Sequence, residues 1–587
     1  MNSFVQQSQS ASMYCSPSPR LVVGIDYGTS GTGVTIHLVE GNNVAPGKRI
    51  EWPLGDKERK VPSRIAYPAD NPSFTMLSPC WGFDIEPDMR AYSFTKLFLD
   101  SNAELAQFDD EVLQQTVSLG NPHQALHPDK NKAPVDIVAD YLSHVLKFVW
   151  KTIQNDSDQS LKHLPVNLRF TIPATWSDRG QDLSRQAVIR AWNFKRPQDT
   201  LTLMHEPEAA AESVHAELKY QDVLRAGDGI LVCDCGSGTV DITSYLVMDS
   251  TGSKLSRITA MQGAKCGGAA IDSRLFDLLK RRLPQQAFDH LNYLIAPGSV
   301  FMTEFERVKR VFSGNEEEMS FNLPLDIRIG RSACTMPYFD QDTGEFILTV
   351  EDIQLLFDQV IRNIIGLVRS QIIAAYRAYG DSVVNKIVLV GGLASSPYLQ
   401  RALRQCFEVP GLSVTVKKYE PIMAVSDGSA LAASRELEAG SPRVRSPRHY
   451  GFGSPSCREK IEWTIVEGKQ YQQGVTYTHT PQWSYQLYQE GDFKAMTIPV
   501  YSCGLPNPPD GAHVARLNDV TLVGLIVADL SSLDLGGLGP ELDAHGRMLY
   551  RLDYLVRYIF DAENRALHCT VQALGKVIGT LSLQLRF

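Results

Sequence analysis

A chain of 587 residues exceeds what one hydrophobic core usually covers, so two or more domains are expected. Its apolar fraction of 43% and mean hydropathy of -0.16 are those of an ordinary soluble protein. The net charge of -9, without a concentrated basic block, argues against nucleic acid or an anionic membrane surface as the main partner.

Residues 1–20 are rich in Ser and Gln and lack a basic start followed by an apolar core, which predicts a disordered tail rather than a signal peptide. No uninterrupted apolar run reaches membrane-spanning length, so we predict no membrane span and a cytoplasmic or nuclear protein. The ten cysteines are scattered without metal-finger spacing and are predicted to be reduced thiols.

Residues 21–32 run from an apolar strand, ending in Asp26, into a turn of Gly, Thr and Ser. A polyphosphate needs a backbone free of Cβ bulk, so that main-chain N–H groups can close on its oxygens. The aspartate suits Mg²⁺, which keeps several waters and is held through few carboxylates plus phosphate. Taken alone, the segment is equally typical of a β-hairpin, because Asp and Gly are ordinary turn residues.

Residues 230–241 repeat this pattern, with Asp234 at the strand end and Asp241 after the turn. Two copies predict duplicated lobes that clamp one phosphate chain between them. The surrounding chain alternates strands with helical stretches, which is typical of an α/β sheet with covering helices. We predict strands at residues 21–25, 166–172, 230–234 and 386–390, and helices that include 137–153 and 353–379.

Further segments follow the order of a known family. They are a strand with a Pro-Ala turn at residues 170–176, a Glu-Pro-Glu-Ala-Ala run at 205–211 and a Gly-Gly turn ending in Asp at 266–272. A charged helix follows at 306–313, and a strand with a second Gly-Gly turn at 387–397. Together with the two phosphate turns they resemble the ATPase domain of the 70-kDa heat-shock protein (Hsp70) family, in a divergent branch, across residues 21–435. The resemblance implies an α/β, two-lobed actin-like (ribonuclease H-like) ATPase domain, followed by a small β-rich C-terminal domain.

The same resemblance implies ATP or ADP with Mg²⁺ as ligands. Asp26 and Asp234 would arrange the hydrated metal, and Glu206 and Asp241 would complete its shell or polarise the attacking water. Lys96 matches the family's catalytic lysine, which orients that water. From sequence alone, a lone lysine beside apolar residues is equally a snorkelling surface side chain.

The implied phosphate-binding residues are Gly28, Thr29, Ser30, Gly236, Ser237, Gly238 and Thr239. The remaining residues implied to face the nucleotide, mainly on its adenosine side, are Gly267, Gly268, Glu306, Lys309, Arg310, Ser313, Gly391, Gly392 and Ser395. The charges of residues 306–313 also fit a solvated helix face.

Three departures from the family pattern matter. Ser237 replaces the middle glycine of the second phosphate turn, and Ser395 stands where the family has its adenine-stacking arginine. Gln181 takes the place of an arginine that relays the nucleotide state, with Arg185 one helical turn further on. We therefore predict looser adenine binding and altered coupling to the C-terminal domain.

The predicted domains are lobe I at residues 21–225, lobe II with a helix returning to lobe I at 226–438, a Ser/Pro/Arg-rich linker at 439–449 and a β-rich domain at 450–587. This last domain occupies the place of the family's peptide-binding domain, so a client or partner protein is expected there. The family's acidic-leucine linker is missing and the chain stops before any helical lid, which weakens the implied chaperone activity.

Four functions are compatible with these patterns. The favoured one is an ATP-binding, slowly hydrolysing switch whose lobes close on ATP. A nucleotide-binding scaffold with negligible turnover comes next. A sugar kinase of the same superfamily is less favoured because the motifs take the chaperone spelling, and a polymerising actin-like protein is least favoured because the β-rich domain has no evident place in a filament.

Overall fold

The structure is a computed structural model. It describes residues 19–41, 43–53, 58–100, 106–119, 132–158, 160–192, 196, 198–252, 255–289, 291–315, 320–327, 337–438, 443–455, 461–472, 476–481, 485–488, 495–505, 507–509, 519–531, 533, 541–542, 548–561 and 566–584. The predicted disordered tail lies almost entirely outside these residues.

The first sheet follows the order β3-β2-β1-β8-β9, and β4 and β5 also pair with β2. Strand β1 is antiparallel to β2 and parallel to β8, which is parallel to β9. A separate two-stranded sheet joins β6 and β7. The bounds are Arg20–Tyr27 (β1), Gly31–Glu40 (β2), Asn43–Val44 (β3), Lys48–Arg49 (β4), Val61–Pro62 (β5), Ile65–Ala66 (β6), Cys80–Trp81 (β7), Val166–Ile172 (β8) and Thr200–His205 (β9).

The second sheet repeats this topology in the order β12-β11-β10-β17-β18, with β13 also paired to β11. Its β10 is antiparallel to β11 and parallel to β17, as β1 is to β2 and β8. A three-stranded sheet joins β14, β16 and β15. The bounds are Gly229–Cys235 (β10), Val240–Val247 (β11), Leu255–Arg257 (β12), Gln262–Ala264 (β13), Ser320–Pro324 (β14), Phe339–Asp340 (β15), Glu345–Thr349 (β16), Val384–Val390 (β17) and Ser413–Val416 (β18).

The matching strand orders confirm the two-lobed α/β fold predicted from the duplicated turns. Each phosphate turn also closes a β-hairpin, β1–β2 in one lobe and β10–β11 in the other. The hairpin and the duplicated-lobe interpretations are therefore both correct.

Helices cover the two sheets. They are Thr95–Phe98 (α1), Glu111–Leu119 (α2), Pro134–Gln154 (α3), Asp178–Trp192 (α4), Glu206–Tyr220 (α5), Ala269–Arg282 (α6), Gln285–Asp289 (α7), Val300–Val311 (α8), Val350–Tyr379 (α9), Pro397–Phe407 (α10) and Ala424–Glu438 (α11). The longest, α9, begins with a capping box of Thr349 and Asp352 and ends at Gly380, which has a left-handed φ of 74°. Within the described ranges, no helix combines the length and apolarity needed to cross a membrane.

Helix α11 carries the chain from the second sheet back to the first. It packs on β1, β2, β8 and α5. The packing is close because small residues face each other, and a Cβ added to Gly428 would lie 1.7 Å from the carbonyl oxygen of Ala209. The chain thus passes over α11 from the second sheet to the first.

Strand β10 is buried along its whole length. Cys233 and Cys235 point to the same face of it, with their sulfurs 3.6 Å apart, and Cys266 lies near Cys235. The contact with Cys235 together with burial raises the pKa of the Cys233 thiol, and burial raises the pKa of Cys266. These thiols fit the predicted reduced, buried state.

The C-terminal part is built from strands, which confirms its predicted β-rich character. Its main sheet has the order β21-β20-β25-β26-β31-β30-β29-β23 around a core that includes Tyr471, Ile526 and Phe560. Smaller sheets join β24, β28 and β27, and β19 with β22. The bounds are Arg443–Arg445 (β19), His449–Gly453 (β20), Ile461–Ile465 (β21), Gln470–Gln472 (β22), Thr476–His479 (β23), Tyr485–Tyr488 (β24), Ala495–Cys503 (β25), Val520–Asp529 (β26), Glu541–Leu542 (β27), Met548–Leu552 (β28), Tyr554–Asp561 (β29), Ala566–Ala573 (β30) and Lys576–Gln584 (β31).

The predicted linker falls partly within this β-rich part. Residues 439–442 lie outside the described residues, but β19 pairs antiparallel with β22. The second half of the Ser/Pro/Arg-rich stretch is thus attached to the C-terminal strands. A separate ion pair joins Arg257 of β12 to Glu467 in the turn between β21 and β22.

Candidate functional site

The two predicted phosphate turns have the same backbone geometry. In the first, the N–H of Gly28 donates to the carbonyl oxygen of Gly31 at 3.2 Å. In the second, the N–H of Gly236 donates to the carbonyl oxygen of Thr239 at 3.1 Å. The turns therefore match in structure as well as in sequence.

The second turn rests on the start of α6. Its carbonyl oxygens at Gly236, Ser237 and Gly238 accept the N–H groups of Gly268, Ala269 and Gly267 at 3.1, 2.7 and 3.2 Å. Because the C=O and N–H of a trans peptide point in opposite directions, the N–H groups of Ser237, Gly238 and Thr239 are directed away from α6. That is the donor arrangement a polyphosphate needs.

The close contact between the second turn and the start of α6 also explains the glycine at position 267. A Cβ added there would lie 2.4 Å from the carbonyl carbon of Ser237. Gly391 plays a similar part on the other side of β10, where it has a left-handed φ of 89° and an added Cβ would lie 2.4 Å from Oδ1 of Asp234. The two predicted Gly-Gly turns thus flank the second phosphate strand.

The first turn is held by Ser63, which lies between β5 and β6. Its hydroxyl donates to the carbonyl oxygen of Gly28 at 2.7 Å, and its N–H donates to that of Ser30 at 3.0 Å. These carbonyls are therefore occupied, as in the second turn.

The two turns touch each other. The N–H of Ser30 donates to the hydroxyl oxygen of Ser237 at 3.0 Å, and a Cβ added to Gly238 would lie 2.1 Å from Oγ1 of Thr29. Ser237, which departs from the family's glycine, therefore uses a donor that the resemblance assigns to phosphate.

Four buried carboxylates lie around these turns, on Asp26, Glu206, Asp234 and Asp241. Asp26 and Asp234 are the penultimate residues of β1 and β10, and Glu206 is the first residue of α5. Asp241 lies directly across the β10–β11 hairpin from Asp234 and accepts the N–H of Ala174 at 2.9 Å. Burial raises the pKa of Asp241. The Pro-Ala turn of lobe I is thus tied to a carboxylate of lobe II.

Lys96 pairs with Glu206. Its Nζ lies 2.5 Å from Oε1, and both side chains are only 5% exposed, so Lys96 is not a snorkelling surface residue. Burial disfavours the ammonium, but the carboxylates of Glu206 and Asp26 prevail and raise the pKa of Lys96. Burial raises the pKa of Glu206, although the positive charge of Lys96 acts to lower it.

The charge balance favours a cation. Within the part of the chain that the structure describes, these four carboxylates pair with two ammonium groups, those of Lys60 and Lys96. Burial, reinforced by the carboxylate of Asp26, raises the pKa of Asp234 to about 7. The carboxylates are therefore short of positive charge, which a divalent ion would supply.

The geometry fits Mg²⁺ better than a metal held by protein alone. Among the described residues, no three His, Cys, Asp or Glu side chains are grouped closely enough to hold an ion. Mg²⁺ does not need such a group, because it is usually bound through one or two carboxylates, phosphate oxygens and water. Asp26 and Asp234 are the two residues that would hold it.

These features agree with a comparison to known proteins. A sequence model of the Hsp70 protein family matches residues 107–440, which is more than half of the chain. The chain belongs to the Hsp70 family. Proteins of this family bind ATP or ADP with Mg²⁺.

The chaperone protein DnaK of Psychrobacter cryohalolentis is 24% identical to this Hsp70-family chain over 421 residues. The alignment covers 70% of this chain and 58% of DnaK, so the chain spans less than two thirds of that relative's length. The match does not distinguish one branch of the Hsp70 family, and the divergent branch stays a prediction.

The predicted adenosine-side helix, α8, holds a buried lysine. Lys309 lies 2.6 Å from Asp272 of α6 and also pairs with Glu306. Burial raises the pKa of Asp272 to about 6, and the two carboxylates raise that of Lys309. These contacts align α8 with α6, so Lys309 has a structural partner in addition to its predicted ligand.

The remaining adenosine-side residues are more open. Arg310 lies 3.9 Å from Glu58 of lobe I, with both side chains about half exposed. Ser313 accepts the N–H of Asn315 at 3.3 Å. Gly392 and Ser395 are exposed, and the Ser395 hydroxyl donates to the Gly392 carbonyl at 2.8 Å. Ser395 thus offers no flat cationic face, as its departure from the family pattern predicts.

The predicted relay positions lie at the start of α4. The Gln181 amide donates to the carbonyl oxygen of Trp176 at 3.1 Å, which closes the Pro-Ala turn locally. Burial lowers the pKa of Arg185, although the guanidinium stays charged. The role of both residues in coupling stays a prediction.

Sequence reasoning missed three residues that organise this Hsp70-family site, Lys60, Ser63 and Lys265. Lys265 donates to the carbonyl oxygen of Asp100 at 2.8 Å, and its N–H donates to Asp109 at 2.6 Å. Each stands outside a recognisable motif, because its partner is remote in the sequence. Lys60 is the last residue of a charged run, 56–60, and such a run in a sequence is typical of a solvated surface.

Proposed function

We propose that this protein binds ATP between its two lobes, hydrolyses it slowly and uses lobe closure as a nucleotide-dependent switch. The observation that carries the proposal is the set of four buried carboxylates and two lysines beside two matching phosphate turns. Membership of the Hsp70 family supports it. The same membership favours this function over a sugar kinase or a filament-forming protein.

Each part of the site has a role in this proposal. Hydrolysis of the γ-phosphate requires an in-line water, neutralisation of the departing phosphate and donors to the nonbridging oxygens. The main-chain N–H groups of the two turns supply donors, and Lys96, fixed by Glu206, orients the water. Asp241 polarises that water or completes the metal shell. Mg²⁺, when bound through Asp26 and Asp234, neutralises charge on the phosphates.

The C-terminal β-rich part would bind a client or partner protein and respond to the lobes. The related DnaK is a chaperone protein, which supports protein binding as the output. We place this activity in the cytoplasm as part of the same proposal.

A nucleotide-binding scaffold with negligible turnover is the second candidate. The hydrogen bond from Ser30 to Ser237 favours it, because that N–H is taken by a side chain of the opposite turn. Fewer donors on the γ-phosphate would lower hydrolysis more than binding.

Phosphate release from the purified full chain with Mg-ATP tests the proposal. We expect slow release above the background of an Asp234→Asn preparation, and faster release when an unfolded peptide is added. ATP binding without release would select the scaffold. A protein that neither binds ATP nor releases phosphate would contradict both candidates.

Hydrogen exchange tests how far the nucleotide acts. ATP should protect the segments around Asp26 and Asp234, with much smaller changes beyond Tyr450. We expect this because β19, at the end of the linker, pairs with β22 of the C-terminal part, and because the family's acidic-leucine linker is missing. The control is the same protein with Mg²⁺ alone. Strong ATP-dependent changes throughout residues 455–587 would instead indicate a full chaperone-like cycle.

A further inference from the structure

Lys60 reaches into the predicted metal site. Its Nζ lies 2.6 Å from Oδ2 of Asp26, and the two side chains are 18% and 6% exposed. Lys60 therefore pairs with one of the two aspartates that would hold Mg²⁺.

A difference between the two hairpins makes room for this lysine. Directly across the hairpin from Asp234 lies Asp241, but directly across from Asp26 lies Gly33. The stem of Lys60 passes over that glycine, where an added Cβ would lie 3.3 Å from its Cε. At the position where lobe II has the carboxylate of Asp241, lobe I has a glycine, and the stem of Lys60 passes over it.

Among the described residues, Lys60 is the more exposed of the two ammonium groups that pair with these carboxylates, with 18% of its side chain exposed against 5% for Lys96. The other, on Lys96, is committed to Glu206 at 2.5 Å. An ammonium is a compact charge with three donors, so Lys60 can hold Asp26 and a phosphate oxygen at once.

We propose that Lys60 is a built-in cation of the nucleotide site, which contacts the polyphosphate and makes nucleotide binding only weakly dependent on Mg²⁺. This inference rests on the proposed function, because it assigns a residue to the same polyphosphate. Lys60 and Mg²⁺ compete for Asp26. Removing the lysine charge therefore weakens metal-free binding and strengthens binding of the metal.

The test is a titration with a fluorescent ADP analogue, in Mg²⁺ and in EDTA. For the wild-type protein, we expect EDTA to weaken binding by less than about tenfold. For Lys60→Met, which keeps the stem and removes the charge, we expect EDTA to weaken binding by at least a further factor of about ten. Lys48→Met is the matched control, since Lys48 is a 60% exposed lysine of the same lobe that pairs with Asp156.

A second measurement uses Mg²⁺ alone. Thermal unfolding followed with and without the ion should show a larger rise in Tm for Lys60→Met than for the wild type, because its Asp26 is free to bind the metal. Equal Mg²⁺ dependence of the two proteins in the titration, or equal Tm shifts, would overturn the inference.

The wild-type titration separates the two proposals even if the variant does not fold. Wild-type protein that binds ADP in Mg²⁺ but loses it completely in EDTA would contradict the role of Lys60 alone. Wild-type protein that fails to bind in Mg²⁺ would overturn the proposed function, and this inference with it.

Discussion

Mg²⁺-dependent ATP hydrolysis should fall by about 100-fold or more when Asp26 or Asp234 is replaced by Asn. Each carboxylate belongs to the penultimate residue of a phosphate strand, and each is buried beside the other's charge. Asn keeps the size of the side chain and removes the charge that would hold the hydrated metal. Phosphate release under single-turnover conditions is the measurement.

Asp234→Asn is the more decisive of the two variants. The folded protein raises the pKa of Asp234 to about 7, so this carboxyl costs stability as the pH rises from its ordinary range to that value, because the unfolded chain ionises first. A neutral Asn removes that cost, and the free energy of unfolding should stay equal or rise while turnover falls. Asp26→Asn also leaves Lys60 without its carboxylate, so its stability has to be measured separately.

Asp222→Asn supplies the matched control. Asp222 is 93% exposed and pairs only loosely with Arg225, so the variant loses one negative charge away from the site. Unchanged turnover in both Asp26→Asn and Asp234→Asn would refute the assignment of these carboxylates.

Removing Lys96 should reduce turnover by about 100-fold while ATP affinity changes by only a few-fold. An ammonium that orients the attacking water acts mainly in the transition state, so its loss affects the rate more than binding. Lys96→Ala tests this with paired measurements of ATP affinity and single-turnover rate. An equal loss of binding and rate would identify Lys96 as a binding or structural residue.

The buried pair requires a further control. Removing one partner of a buried ion pair costs about 3–5 kcal/mol of stability, because the other charge stays uncompensated. Lys96→Met with Glu206→Gln removes both charges and should restore much of that stability. If turnover recovers along with stability in this double variant, Lys96 acts only by holding the fold.

The fold was largely predictable because its signals are periodic and local. The strands β1, β8, β10 and β17 are rich in apolar residues, and their bounds agree with the predicted segments to within a few residues. The second copy of the phosphate turn then predicted the repeated topology.

The contacts inside the site were less predictable. Lys60 meets Asp26 only because β5 returns beside β2, and Lys309 meets Asp272 only because α8 lies against α6. Neither pair is marked by spacing in the sequence. The end of the predicted linker likewise gains its strand from pairing with residues 470–472, which a local pattern does not encode. The roles of the site residues stay predictions until the variants are measured.

The buried thiols of lobe II can be used to measure how often its strands separate. Cys233, Cys235 and Cys266 have no exposed surface, whereas Cys406 is exposed. An alkylating reagent needs both contact with sulfur and a thiolate, so the buried group can react only after the strands around Asp234 separate. The three buried cysteines should therefore be modified slowly, and Cys406 at once. The ratio of the two rates reports how often the strands around Asp234 separate, and no label has to be introduced to measure it.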